Sequence, residues 1–188
     1  AAPLLLLSSP MAVFLWSFPK EVRQSLGQLV EREGPLRRLL RFLTVPVIAW
    51  TLHVGTMWAW HLPGAYQAAL RSDLVHIVEH LSMFGTAVLF WWVVIGPAPV
   101  RSQLSYPARL LYVFLGSLQS TALGAIITFT TGIMYHYYGE APEHWGISTA
   151  LDQQLAGLIM WIPAGMMYLI ALTILFFLWA NREERATT

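Results

Sequence analysis

Histidines recur at helical spacing in the first half of the chain. His53, Met57 and His61 stand at i, i+4 and i+8, and His76 and His80 at i, i+4, with Glu79 directly before the second histidine and Met83 three residues after it. Asp152, Ala156 and Met160 repeat the i, i+4, i+8 spacing later on. On an α-helix such positions stack on one face, with His53 about 12 Å along the axis from His61.

Imidazole suits copper, zinc and iron, while thioether sulfur favours Cu(I). Two histidines one turn apart can clamp a single ion. His53, His61, His76 and His80 are therefore candidate metal ligands, with Met57, Met83 and Met160 as soft auxiliaries. Glu79 and Asp152 can draw cations inward or orient the imidazoles from behind. Two other readings of the same residues stay open. His53 and His80 on neighbouring helices can ligate a haem axially. Alternatively, the histidines simply bridge helices by hydrogen bonds. Asp152 has an ordinary reading too, as an acid in the first turn of a helix that Ser148 and Thr149 lead into.

Some chemistry is excluded. There are no cysteines, which removes disulfides and thiolate metal sites, and the net charge of +1 gives no reason to expect nucleic acid. A zincin needs glutamate directly after the first histidine; here it precedes the second. No nucleophile and base pair stands out, so an enzyme is not expected.

The elements that must carry these residues are membrane helices. The 188 residues are 56% hydrophobic and 11% charged, against about 25% charged in soluble domains. A bilayer core needs about 20 apolar residues per helix. Spans are expected near 44–62, 74–95, 109–131 and 151–180, with a fifth, partial one near 1–18. The expected fold is an all-α polytopic membrane bundle, one transmembrane domain over 1–188. The chain opens inside a hydrophobic run without methionine, so one or more earlier spans are expected upstream.

Lys20, Arg23, Arg32, Arg37, Arg38, Arg41, Arg101, Arg109, Arg182 and Arg185 all fall on one side of this five-span layout, and Arg71 on the other. The positive-inside rule then puts the first loop, the third connection and the C-terminus in the cytoplasm. The histidines and methionines lie toward the outer side. The loop 19–43 alternates helically spaced apolar residues with arginines, which fits short amphipathic helices lying on acidic lipid.

Three stretches also carry a family resemblance: "WHLPGAYQAAL" at 60–70, "HIVEHLSMFGTAVLFWW" at 76–92 and "DQQLAGLIMW" at 152–161. In this order they resemble the polytopic CtaG family of cytochrome c oxidase assembly factors. "APLLLLSSPMAVFLW" at 2–16 is similar to that family's early segment. The resemblance implies a non-enzymatic protein of the bacterial plasma membrane that handles copper for a haem-copper oxidase. Its partners would be oxidase subunits and a copper donor protein. Carried over by motif, the residues implied are His61, His76, His80, Asp152 and Met160; His53 rests on helix geometry alone.

Overall fold

The computed structural model describes residues 34–187 apart from 98, 99 and 140, together with residue 3. The expected span near 1–18, and the loop 19–43 as far as residue 33, lie outside the described residues. Every regular element among the described residues is helical: α1 (Pro35–Leu43), α2 (Pro46–Trp60), α3 (Pro63–Arg71), α4 (Asp73–Ile95), α5 (Tyr106–Phe129) and α6 (Thr149–Thr187), with 3-10 turns at His136–Tyr138 and Ala141–Trp145. The all-α membrane class expected from composition is the class found. Helices α4, α5 and α6 are each long and apolar enough to cross a membrane.

Prolines set the helix starts in the first half. Pro35, Pro46 and Pro63 each open a helix, where the missing N–H costs nothing and the fixed φ is already helical. The residue before a proline is pushed out of the helical region, which separates α1 from α2. At that break Thr44 turns its hydroxyl back onto the Leu40 carbonyl at 2.6 Å, and α1 and α2 meet at a bend of 69°. Helix α2 has 15 residues, about 22 Å at 1.5 Å per residue, short of a ~30 Å hydrocarbon core. Together with α1 it reaches the length of one broken span or a re-entrant loop, where the sequence suggested a single span near 44–62.

Contacts divide the chain into two compact units, Ala1–His53 with Met83–Ser105, and Val54–Ser82 with Tyr106–Thr188. Helices α2 and α4 pass from one unit into the other. The core of the first unit gathers Ala49, Phe90, Trp91, Trp92, Val93 and Val94, all buried. The Trp92 indole donates to the Val100 carbonyl at 3.0 Å, so the loop after α4 folds back onto the helix end. Gly96 makes that reversal with φ of 65°, and a Cβ there would collide with Ser102, which is why glycine occupies it.

The second unit is built on packing between α5 and α6. Glycines let these helices approach: a Cβ on Gly124 would meet Trp161, and one on Gly157 would meet Thr128, 2.8 Å from its backbone nitrogen. Such small-residue contacts stand in for the hydrophobic drive that lipid does not provide. At one end the guanidinium carbons of Arg109 and Arg182 lie 5.2 Å and 5.8 Å from the centre of the Tyr106 ring. The start of α5 and the far end of α6 are thereby held side by side. The opposite end carries the loop 130–148 and the polar residues described next.

Candidate metal centre

Helix α4 begins at Asp73, so His76 and His80 fall in its first two turns and present their rings one above the other. Their Nε2 atoms are 2.8 Å apart, and the ring centroids 4.5 Å. Two imidazole nitrogens at that distance share one proton, one donating and the other accepting. A Glu79 carboxylate oxygen completes the group, the three ligand atoms lying within 4.8 Å of one another. Both histidines are exposed and Glu79 is half-buried. Among the described residues this is the one set of three or more histidine, aspartate or glutamate side chains close enough to hold an ion.

A second feature of the same unit is a cavity of about 410 Å³ lined by His61, Tyr66, Tyr135, Tyr138, Asp152 and Met160, among others. His61 follows the last turn of α2, and its Nδ1 lies 2.7 Å from the Met57 carbonyl oxygen. A carbonyl only accepts, so Nδ1 carries the proton and Nε2 keeps the lone pair that binds metals. The loop 130–148 forms the roof, held by Gln153. Its Oε1 accepts from the Met134 backbone N–H at 2.7 Å, and its Nε2 donates to the Gly132 carbonyl at 3.1 Å. The Tyr135 hydroxyl donates to the His61 carbonyl at 2.9 Å, and the Tyr66 and Tyr138 hydroxyls pair at 3.0 Å. Burial raises the Tyr66 phenol above its usual range, with the Tyr138 hydrogen bond and the charge on nearby Glu79 adding to it. Burial raises Tyr135 as well. Tyr66 and Tyr135 therefore stay neutral at physiological pH and supply hydroxyls rather than phenolates.

Asp152 lies in the first turn of α6, yet it is not the cap. Ser148 Oγ accepts the Leu151 N–H at 3.2 Å and performs that role. Asp152 lines the cavity. Gln153, next to Asp152 in sequence, is the staple of the loop.

The remaining candidates lie elsewhere. His53 belongs to the first unit, half-buried, its ring 5.0 Å from that of Phe90 and its buried Nδ1 without a hydrogen-bond partner among the described residues. Met83 is also in the first unit, half-buried, its carbonyl accepting the Thr86 hydroxyl. Met57 is half-buried in the second unit and contributes its carbonyl to His61. His136 and His144 are exposed in the 3-10 turns. The tyrosines at 66, 135 and 138 were not singled out from the sequence. Their signal was the aromatic run around His136 in "MYHYY", which reads equally well as an interfacial belt.

The family described as cytochrome c oxidase caa3 assembly factor (Caa3_CtaG) matches residues 1–182. Over 145 residues the chain is 26% identical to Uncharacterized protein ML1998 of Mycobacterium leprae, an overlap of 77% of this chain and 22% of that protein. Over 152 residues it is 24% identical to Uncharacterized protein Mb0105 of Mycobacterium bovis, covering 80% of this chain and 23% of the relative. The chain thus spans less than a quarter of the length of the curated relatives it matches. No solved structure matches it.

Proposed function

The chain belongs to the cytochrome c oxidase caa3 assembly factor family, and from that premise we propose that it works without catalysis, binding copper as cargo and passing it toward the oxidase during assembly. The observation that carries this reading is the His76, Glu79 and His80 group, two imidazole nitrogens 2.8 Å apart beside a carboxylate on an exposed helix start. Imidazole and carboxylate together suit Cu(II), and exposure leaves coordination positions open to a donor or an acceptor. The protein sits in a bacterial plasma membrane with this group toward the outer side and its C-terminus in the cytoplasm. The charge distribution supports that orientation. Arg109 and Arg182 lie together at the end of the α5–α6 pair away from the cavity, as the rule requires of the inner end. The partners are an oxidase subunit and a copper donor protein.

The test is copper loading of the purified protein in detergent, read by metal analysis and by the nitrogen couplings in the Cu(II) paramagnetic resonance spectrum. His76→Ala with His80→Ala should abolish the nitrogen-coupled signal and lower oxidase assembly in cells. Copper retention that does not depend on these two histidines ends the reading.

A further inference from the structure

Helix α1 takes no part in the group at the start of α4, and its side chains divide into two faces. Leu36, Leu39, Leu40 and Leu43 recur at i, i+3, i+4 and i+7, one continuous apolar stripe. Arg37, Arg38 and Arg41 occupy the opposite side, Arg37 and Arg41 one turn apart and Arg38 beside them. No aspartate or glutamate stands between Gly34 and Ser72. We propose that α1 is a binding site for anionic phospholipid headgroups, in which the leucines enter the acyl layer and the three arginines hold the headgroup phosphates. The inference is independent of the copper reading.

Several observations select a lipid surface as the occupant. No described residue of α1 is buried, and Leu36, Leu39 and Phe42 are 40%, 53% and 59% exposed. The apolar stripe is therefore not packed into the protein core. Three arginines on so short a helix keep α1 out of the hydrocarbon, which argues against α1 as half of a broken span. The bend of 69° turns α1 away from α2, which carries no aspartate, glutamate, lysine or arginine. With α2 entering the bilayer, α1 lies nearer the membrane plane. In that posture an amphipathic helix sinks its apolar face about 5–10 Å and leaves its basic groups among the headgroups. A membrane surface offers both complements at once, acyl chains to the leucines and negative charge to the arginines.

The chemistry of the basic face fits phosphate. The guanidinium fork bonds two phosphate oxygens at once, and its aliphatic stem lets the charge reach out from a helix lying at the boundary. The two faces are set by the protein itself. The Thr44 N–H and hydroxyl both donate to the Leu40 carbonyl, at 2.9 Å and 2.6 Å, and the Val45 N–H donates to the Phe42 carbonyl at 3.1 Å. These bonds close the last turn of α1 at the bend. Only Thr44 and Val45 separate α1 from α2, so headgroups held by α1 fix the depth at which α2 enters the bilayer.

The chain contains no cysteine, so Leu39→Cys places a single nitroxide on the exposed apolar stripe. The full chain is reconstituted into vesicles of phosphatidylcholine, alone or mixed with phosphatidylglycerol. The depth of the label is read from its relaxation by oxygen against a polar nickel complex. It should sit in the acyl layer when phosphatidylglycerol is present and move toward water in phosphatidylcholine alone. Adding Arg37→Gln with Arg41→Gln should shift the ratio of inserted to withdrawn label by roughly 30-fold toward water, since each basic residue at an anionic surface is worth roughly fivefold. Raising the salt concentration should act in the same direction with all three arginines in place, a check that depends on no arginine variant folding. A label equally deep in both lipid compositions overturns the inference, as does one equally open to the nickel complex in both. A depth that ignores both salt and the arginine substitutions also overturns it, since protein rather than lipid would then cover the helix.

Discussion

Replacing Gln153 by leucine should unfasten the roof of the cavity while leaving α6 helical. The side chain is 6% exposed and spans two loop groups, taking the Met134 N–H at 2.7 Å and giving to the Gly132 carbonyl at 3.1 Å. Gly132 is exposed, so water can replace the amide there at little cost; Met134 is half-buried, so its N–H is the group left wanting. One buried donor without a partner costs about 1–3 kcal/mol. With every 1.4 kcal/mol worth a factor of ten, the docked loop should open roughly 5- to 150-fold more often. The assay is amide hydrogen exchange on the protein in detergent, following peptides that contain Met134 and Tyr135 against an internal standard from α5. Gln153→Glu separates the two bonds, because an ionised carboxylate still accepts from Met134 but no longer donates to Gly132. It should fall between the parent and Gln153→Leu. Unchanged exchange at Met134 in Gln153→Leu would refute the reasoning, since the loop would then be held by its tyrosine contacts alone.

Two further expectations concern other parts of the same unit. Gly124→Ala and Gly157→Ala should each cost about 1–3 kcal/mol through overpacking of α5 against α6, seen as a lower thermal midpoint, whereas Gly55→Ala, with nothing within 4 Å, should be neutral or slightly stabilising. The raised phenols of Tyr66 and Tyr135 should ionise later than the exposed tyrosines in a phenolate absorbance titration. By linkage, a pKa raised in the folded state gives stability that is complete below the unfolded value of about 10 and lost as pH climbs through the folded one. The roof should therefore loosen only in strong alkali, and Tyr138→Phe, which removes the hydrogen bond to Tyr66, should lower the pH at which that phenol ionises in the titration.

The membrane class and the helices α4, α5 and α6 were legible because each is a long apolar run closed by proline, glycine or charge. The pairing of His76 with His80 was legible for the same local reason: a four-residue step on a helix fixes it without reference to any other element. Helix α2 was harder. Hydropathy across 44–62 matches α2, but it did not show that α1 meets α2 at a 69° bend across Thr44. The cavity was not legible at all. Its lining comes from His61 just after α2, from α3, α5, the loop 130–148 and α6, and no pattern within one segment announces which loop folds over which helix. Asp152 illustrates the limit well. Sequence placed it in the first turn of a helix that Ser148 and Thr149 lead into, and only the bond from the Leu151 N–H shows that Ser148 is the cap.

In the copper-delivery reading proposed above, the build of the His76, Glu79 and His80 group bears on how cargo would be held. A closed tetrahedral cage of four side chains gives a structural site, while an open position permits exchange. In the same copper reading, His76, Glu79 and His80, all near the start of one helix, would approach an ion from one side, leaving the other for a ligand from another protein. Ligand substitution can then proceed without α4 moving, because the incoming donor enters the open hemisphere before either imidazole leaves. A site assembled from several helices would have to part them, breaking packing such as that between Gly124 and Trp161. For an assembly factor the one-sided arrangement is thus the more serviceable one. It predicts that adding a third imidazole opposite the pair would raise retention of copper and depress its transfer.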